Sequence, residues 1–255
     1  MTMLLPRVIP CLLLQGRGLV KTVKFADPVY LGDPINIVKI FNDKEVDELV
    51  LLDIAATRNR RGPNFELLAE IASEAFVPLA YGGGITKVEE IQRILNLGYE
   101  KVVLNSSAFE IPDLVRRAAD QVGSQSIVVS IDVRRSLLGA SKVLTHCGEK
   151  PVGGDPVEWA QRFAGLGAGE ILITAIDRDG TLKGYDLELV RKVSQAVGVP
   201  VIASGGAATV ADFGRAVKQA GASAVAAGSL FVFVGPNRAV LITFPKRTEL
   251  KSIFS

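Results

Sequence analysis

Val199-Pro200-Val201-Ile202-Ala203-Ser204-Gly205-Gly206-Ala207 is an apolar run of strand length that stops on two glycines. Val210, Phe213, Ala216 and Val217 then recur at helical spacing, and a second apolar run stops at Gly228 and Ser229. The order is strand, glycine loop, helix, strand, glycine loop, which is the alternation of a parallel α/β protein. Glycines let backbone N–H groups come close to a ligand, and clustered N–H groups favour an anion. The stretch therefore predicts a phosphate cup.

The same phrase occurs twice. Val77-Pro78-Leu79-Ala80-Tyr81-Gly82-Gly83-Gly84 repeats it, with Pro78 and Pro200 122 residues apart. Each copy continues into a periodic helix, a glycine (Gly98 or Gly221), a short strand and a turn of small polar residues. A spacing near half the chain length predicts two similar halves, about 1–122 and 123–255, each with its own cup. One cup would use Gly83, Gly84, Asn105 and Ser106, the other Gly205, Gly206, Gly228 and Ser229. Two cups imply a small molecule phosphorylated at both ends.

Outside these copies the alternation continues. Strands are predicted over 8–14, 48–54, 77–81, 101–104, 126–132 and 170–175, besides the two runs ending at Gly205 and Gly228. Helices are predicted over 34–41, 64–75, 87–97, 112–122, 156–166, 186–197 and 247–254. Eight strand–helix units in 255 residues, 48% of them hydrophobic, predict one (β/α)8 barrel of class α/β. In the fifth strand Ile127, Val129 and Ile131 share the face expected to meet the helices. Ser126, Val128, Ser130 and Asp132 share the face expected to line the lumen. The connection 15–32, with Arg17, Lys21 and Lys24, is read as a mobile lid over an anionic substrate, and 134–154 as a glycine-rich segment with a small hairpin near 142–146.

Barrel chemistry sits at the C-terminal ends of the strands. That rule gathers Asp53, Gly83, Gly84, Asn105, Asp132, Thr174, Asp179, Gly205, Gly206, Gly228 and Ser229 on one rim, with Gly180 in the loop Asp177-Arg178-Asp179-Gly180-Thr181. Carboxylates beside phosphate cups suit proton transfer on a phosphosugar. The formal net charge of +2 points neither to nucleic acid nor to an anionic membrane. His146 is the only histidine, and Cys11 and Cys147 form no metal-type spacing, so no metal and no cofactor are expected. Without a signal-type or membrane-spanning apolar run, the expected location is the cytoplasm.

Ile9-Pro10-Cys11-Leu12, Leu52-Asp53-Ile54, Gly82-Gly83-Gly84-Ile85, Ser130-Ile131-Asp132, Asp177-Arg178-Asp179-Gly180-Thr181 and Ala203-Ser204-Gly205-Gly206-Ala207 together resemble the cyclase subunit of imidazole glycerol phosphate synthase. The resemblance runs from Arg7 to about Phe233. It implies a glutaminase subunit on the N-terminal face of the barrel, ammonia passing through the lumen, and a bisphosphorylated substrate at the opposite rim. It also implies a pair of catalytic aspartates at the ends of the first and fifth strands, together with a charged gate at Arg7, Glu48, Lys101 and Glu170. Asp132 matches the fifth-strand acid. The first-strand position is Leu13, which can carry no proton.

A second departure is the tail Val234-Gly235-Pro236-Asn237-Arg238-Ala239-Val240. The segment Ile9-Pro10-Cys11-Leu12-Leu13-Leu14 and this tail are similar to cyclase homologues associated with surface polysaccharides, in which ammonia converts an acetamido sugar to an acetamidino sugar on a separate sugar amidotransferase. The alternatives are an authentic histidine-pathway cyclase and a noncatalytic scaffold for the glutaminase.

Overall fold

The computed structural model describes residues 5–136 and 139–255. β1 (Arg7–Gln15) runs on into two further strands, β2 (Gly18–Val23) and β3 (Ala26–Gly32), before α1 (Pro34–Asp43). There follow β4 (Leu49–Asp53), α2 (Phe65–Glu74), β5 (Leu79–Gly82), α3 (Val88–Asn96), β6 (Lys101–Leu104), the short α4 (Ser106–Glu110) and α5 (Asp113–Val122). Then come β7 (Ile127–Arg135), β8 (Ser141–Thr145), β9 (Lys150–Pro151), α6 (Pro156–Gly165), β10 (Glu170–Ala175), α7 (Leu187–Ala196) and β11 (Val201–Ser204). The chain ends with α8 (Val210–Ala220), β12 (Ala224–Ala227), the short α9 (Ser229–Val232), the ribbon of β13 (Phe233–Val234) and β14 (Ala239–Val240), and α10 (Arg247–Phe254).

Eight strands pair in parallel in the order β1-β4-β5-β6-β7-β10-β11-β12, and β12 pairs back to β1. This is the closed barrel expected from the alternation. In that order β1 and β7 are four strands apart in either direction, so they face each other across the barrel. Alternation along each strand sorts the side chains. Ile127, Val129 and Ile131 join the large core between strands and helices. Val128 joins Ile9, Val50, Ala80, Val103, Leu172, Ile202, Ala224 and Ala226 in a separate apolar cluster on the lumen side of the strands.

The helix starts are specified locally. Asp33 accepts the Asn36 N–H at 3.0 Å ahead of Pro34, and Asn64 and Asp186 cap α2 and α7 in the same way. Removing such a cap typically costs about 1 kcal/mol. Among the described residues no helix is long and apolar enough to cross a membrane.

The expected loop over 15–32 is a correction. Segment 15–32 is a β-hairpin: Leu13 pairs with Val20, Leu14 with Leu19 and Gln15 with Gly18. Gly16 (φ 66°) turns the chain, and the run Leu19 to Val23 continues as strand rather than loop. Its end is tied down by Lys24, whose N–H donates to the Asp179 carbonyl at 2.9 Å. Lys21 is only 4% exposed. The expected hairpin near 142–146 is β8, paired antiparallel to the extension of β7. The short helices α4 and α9 were not expected from periodicity, since one turn is too short to display it.

Candidate functional site

The C-terminal ends of the strands enclose a cavity of about 580 Å³. Every rim residue singled out from the sequence lines it: Leu13, Lys21, Asp53, Gly83, Gly84, Asn105, Ser106, Asp132, Thr174, Asp179, Gly180, Gly205, Gly206, Gly228 and Ser229. At its base Asp132 projects from β7 and Leu13 from β1, on opposite sides of the barrel.

Asp132 is 8% exposed. Asn105 Nδ2 donates to its Oδ2 at 3.2 Å, and Ser130 Oγ to its Oδ1 at 3.2 Å. Burial pushes the carboxyl up to about 7; the charge of Asp179 adds to the rise, while the hydroxyls of Ser130 and Thr174 oppose it. A carboxyl titrating near neutrality is suited to take and return a proton. Leu13, 8% exposed, offers no second group for that work. Cys11 lines the same base, but burial pushes its thiol up to about 12, so it is no thiolate at neutral pH.

The remaining polar groups divide into committed and free. Lys21 Nζ pairs with Asp179 Oδ2 at 2.9 Å and donates to the Thr22 carbonyl at 2.9 Å. The Asp179 N–H is already bonded to the carbonyls of Ala175 and Ile176, so this residue acts through its carboxylate. Asp53 Oδ1 accepts the N–H groups of Ala55 and Ala56, each at 2.9 Å, and so caps its own loop. The Asn105 carboxamide is turned to Asp132, and Ser106 Oγ accepts the His146 N–H at 3.0 Å. By contrast, among the described residues no protein acceptor takes the N–H groups of Gly83, Gly84, Gly205, Gly206 or Gly228.

The two glycine loops share one construction. A Cβ on Gly84 (φ 69°) would lie 2.3 Å from the Arg61 carbonyl, and one on Gly206 (φ 111°) 2.4 Å from the Gly184 carbonyl. Both positions therefore require glycine for space as well as for conformation.

At the other end of the lumen the four predicted gate residues meet. Arg7 bonds Glu48 through Nη1 and Glu170 Oε1 through Nη2 at 2.7 Å. Lys101 Nζ lies 3.0 Å from Glu48 Oε2 and 3.3 Å from Glu170 Oε1. The result is a closed ring of alternating charge across the barrel floor. Ala80 sits beside Lys101 and Ala224 beside Arg7 in the strand register, so small side chains flank the ring. Burial pulls on the Arg7 guanidinium, but the two glutamates outweigh it and hold its pKa above the usual value. Glu170 Oε2 is buried without a partner among the described residues.

Sequence reasoning missed three contributors: Ser130 as a donor to Asp132, Asn105 as its second donor, and Cys147, whose thiol donates to the Ile54 carbonyl at 3.1 Å across the rim. The two donors to Asp132 had a legible signal, because Ser130 shares the lumen face of β7 and Asn105 ends the neighbouring strand. Cys147 had none, since its partner is 93 residues away.

The family model for histidine biosynthesis proteins matches residues 7–235. A Pseudomonas aeruginosa protein is 53% identical over 244 residues, covering 96% of this chain and 97% of its own length. A Vibrio vulnificus protein is 50% identical, covering 98% and 96%, and one from Leptospira borgpetersenii is 43% identical, covering 99% and 100%. All three bear the provisional name of imidazole glycerol phosphate synthase subunit, as hisF2, hisF3 and HisF respectively. The chain belongs to the imidazole glycerol phosphate synthase cyclase-subunit family.

Within this cyclase-family barrel the titration of Asp132 has a measurable consequence. Its folded-state pKa of about 7 lies above the usual carboxylate value, so the folded protein holds this proton more tightly than the unfolded chain. The resulting stability is complete below about pH 4 and is lost as the pH rises through about 7. Asp132→Asn removes the titrating carboxyl and with it this pH dependence. Denaturant unfolding at pH 5 and pH 8 should show wild type losing on the order of 3 kcal/mol relative to the variant between those values. A difference that does not change with pH would place the titration elsewhere.

Proposed function

We propose that this barrel docks a glutaminase on its N-terminal face, conducts the ammonia through the lumen, and delivers it at the C-terminal rim without closing an imidazole ring. The observation that carries the reading is the asymmetry at the base of the cavity. Asp132 is buried, held by two donors and titrates near 7, while the residue facing it from β1 is Leu13. Ring closure by an aspartate pair across the base needs an acid on β1 as well as Asp132, and β1 offers Leu13. The charged ring below and the lumen between are consistent with a retained conduit.

The glycine loops would hold a phosphorylated small molecule, with the free N–H groups of Gly83 and Gly84 at one end and those of Gly205, Gly206 and Gly228 at the other. The acceptor of the ammonia is an acetamido sugar activated on a separate sugar amidotransferase, which yields an acetamidino group. The test reconstitutes the chain with a glutaminase, an amidotransferase of this type, the sugar and glutamine. Amidinated sugar and glutamate should accumulate together, and omission of the barrel should abolish the sugar product. Equal product without the barrel, supplied by glutaminase alone, would reduce the chain to a scaffold.

A further inference from the structure

The tail that departs from the cyclase pattern folds back onto two residues that line the cavity, Gly180 and Ser229. Phe233 pairs with Val240 and Val234 with Ala239, and the turn between them takes left-handed backbone at Gly235 (φ 73°) and again at Arg238 (φ 52°). Glycine adopts that conformation freely, whereas a long side chain adopts it against a steric penalty. Such an outlier calls for a compensating interaction.

The compensation is visible. The Arg238 guanidinium stacks on the Phe233 ring, 4.4 Å from its centroid. Nη1 donates to the Gly180 carbonyl at 3.2 Å and Nη2 to Ser229 Oγ at 3.4 Å. Gly180 and Ser229 both line the cavity, as do Gly205, Gly206 and Gly228. Both bonds are long and go to neutral acceptors, so they leave most of the five guanidinium donors unused. Among the described residues no carboxylate pairs with Arg238, whereas the nearby Lys21 is already matched by Asp179. Thr22, packed against Gly180, carries a buried hydroxyl with no partner among the described residues. Stacking on an aromatic ring fixes the plane of a guanidinium and prepares it for a bidentate oxyanion.

We propose that Arg238 is an anion-recognition residue of the second cup, gripping the terminal phosphate of a phosphomonoester together with the N–H groups of Gly205, Gly206 and Gly228. The proposal rests on reading the rim as phosphate-binding, and it adds a side-chain clamp supplied by the tail to a cup otherwise made of backbone. It makes the two ends of the cavity unequal.

The test is a titration with inorganic phosphate, and separately with ribose 5-phosphate, followed by the backbone amide resonances of Gly205, Gly206 and Gly228. Arg238→Ala should weaken binding at these amides at least tenfold and leave Gly83 and Gly84 unchanged. Arg238→Lys should recover part of the loss, and Phe233→Leu should give an intermediate loss because the guanidinium is no longer held. If Arg238→Ala binds within twofold of wild type and only melts earlier, Arg238 is a clip for the tail and the proposal fails alone. If neither ligand moves any of these amides in wild type, the cup reading fails and takes the proposal with it.

Discussion

With a bisphosphorylated cyclase substrate and ammonium salts, the wild-type chain is expected to turn over roughly 10²- to 10⁴-fold more slowly than an ordinary enzyme working at about 10 per second. That range is what a positioned proton carrier contributes, and the one on β1 is missing. Ammonium salts bypass the glutaminase, so a slow rate reports the chemistry at the rim and not delivery. Leu13→Asp puts a carboxyl back opposite Asp132 and is expected to raise turnover at least tenfold. The gain comes with lower stability, because position 13 is 8% exposed and packs between Val20 and Leu52 in the strand register. Wild-type turnover of about 1 per second or more would mean that one aspartate suffices, and the chain would then be a working cyclase.

Lys101→Leu is expected to have the largest effect on stability. The substitution leaves the Glu48 and Glu170 carboxylates facing Arg7 alone, at sites where Glu48 is 3% and Glu170 9% exposed. Breaking a buried charge group by removing one partner typically costs about 3 to 5 kcal/mol. Part of that will be relieved by water reaching the floor, since the Arg7 side chain is 28% exposed. Urea unfolding of both proteins at pH 7 measures the loss. A change under about 1 kcal/mol would show that the four charges act as a surface cluster and not as a closed ring.

The fold was legible because its signals are periodic. Strand-length apolar runs followed by helical spacing recur eight times, and register along the fifth strand correctly separated Ile127, Val129 and Ile131 from Val128, Ser130 and Asp132. The rim was legible for a related reason: once strand ends are known, the barrel rule puts their residues in one place, and all of them line the cavity. The hairpin in 15–32 was lost because Gly16-Arg17-Gly18 reads equally well as the start of a loop or as a tight turn. Only the pairing of Leu13 with Val20 decides between them. Side-chain commitments were also out of reach. Nothing in the local sequence says that Cys147 reaches the Ile54 carbonyl, or that Arg238 reaches Gly180, 58 residues away. Such contacts are products of closure, and their partners meet only after the barrel has formed.

Delivery through the barrel is the central claim, and the ratio of ammonia incorporated to glutamate released tests it most directly. The measurement uses the complex of barrel, glutaminase and sugar amidotransferase, with wild type and Lys101→Leu compared at a temperature where both are folded. Wild type should give a ratio near one that added free ammonia-trapping reagent does not lower. Lys101→Leu should continue to release glutamate while the ratio falls at least severalfold, as ammonia leaks from or is blocked at the disturbed ring. A ratio unchanged by the substitution, with both proteins folded, would contradict passage through the ring at Arg7, Glu48, Lys101 and Glu170.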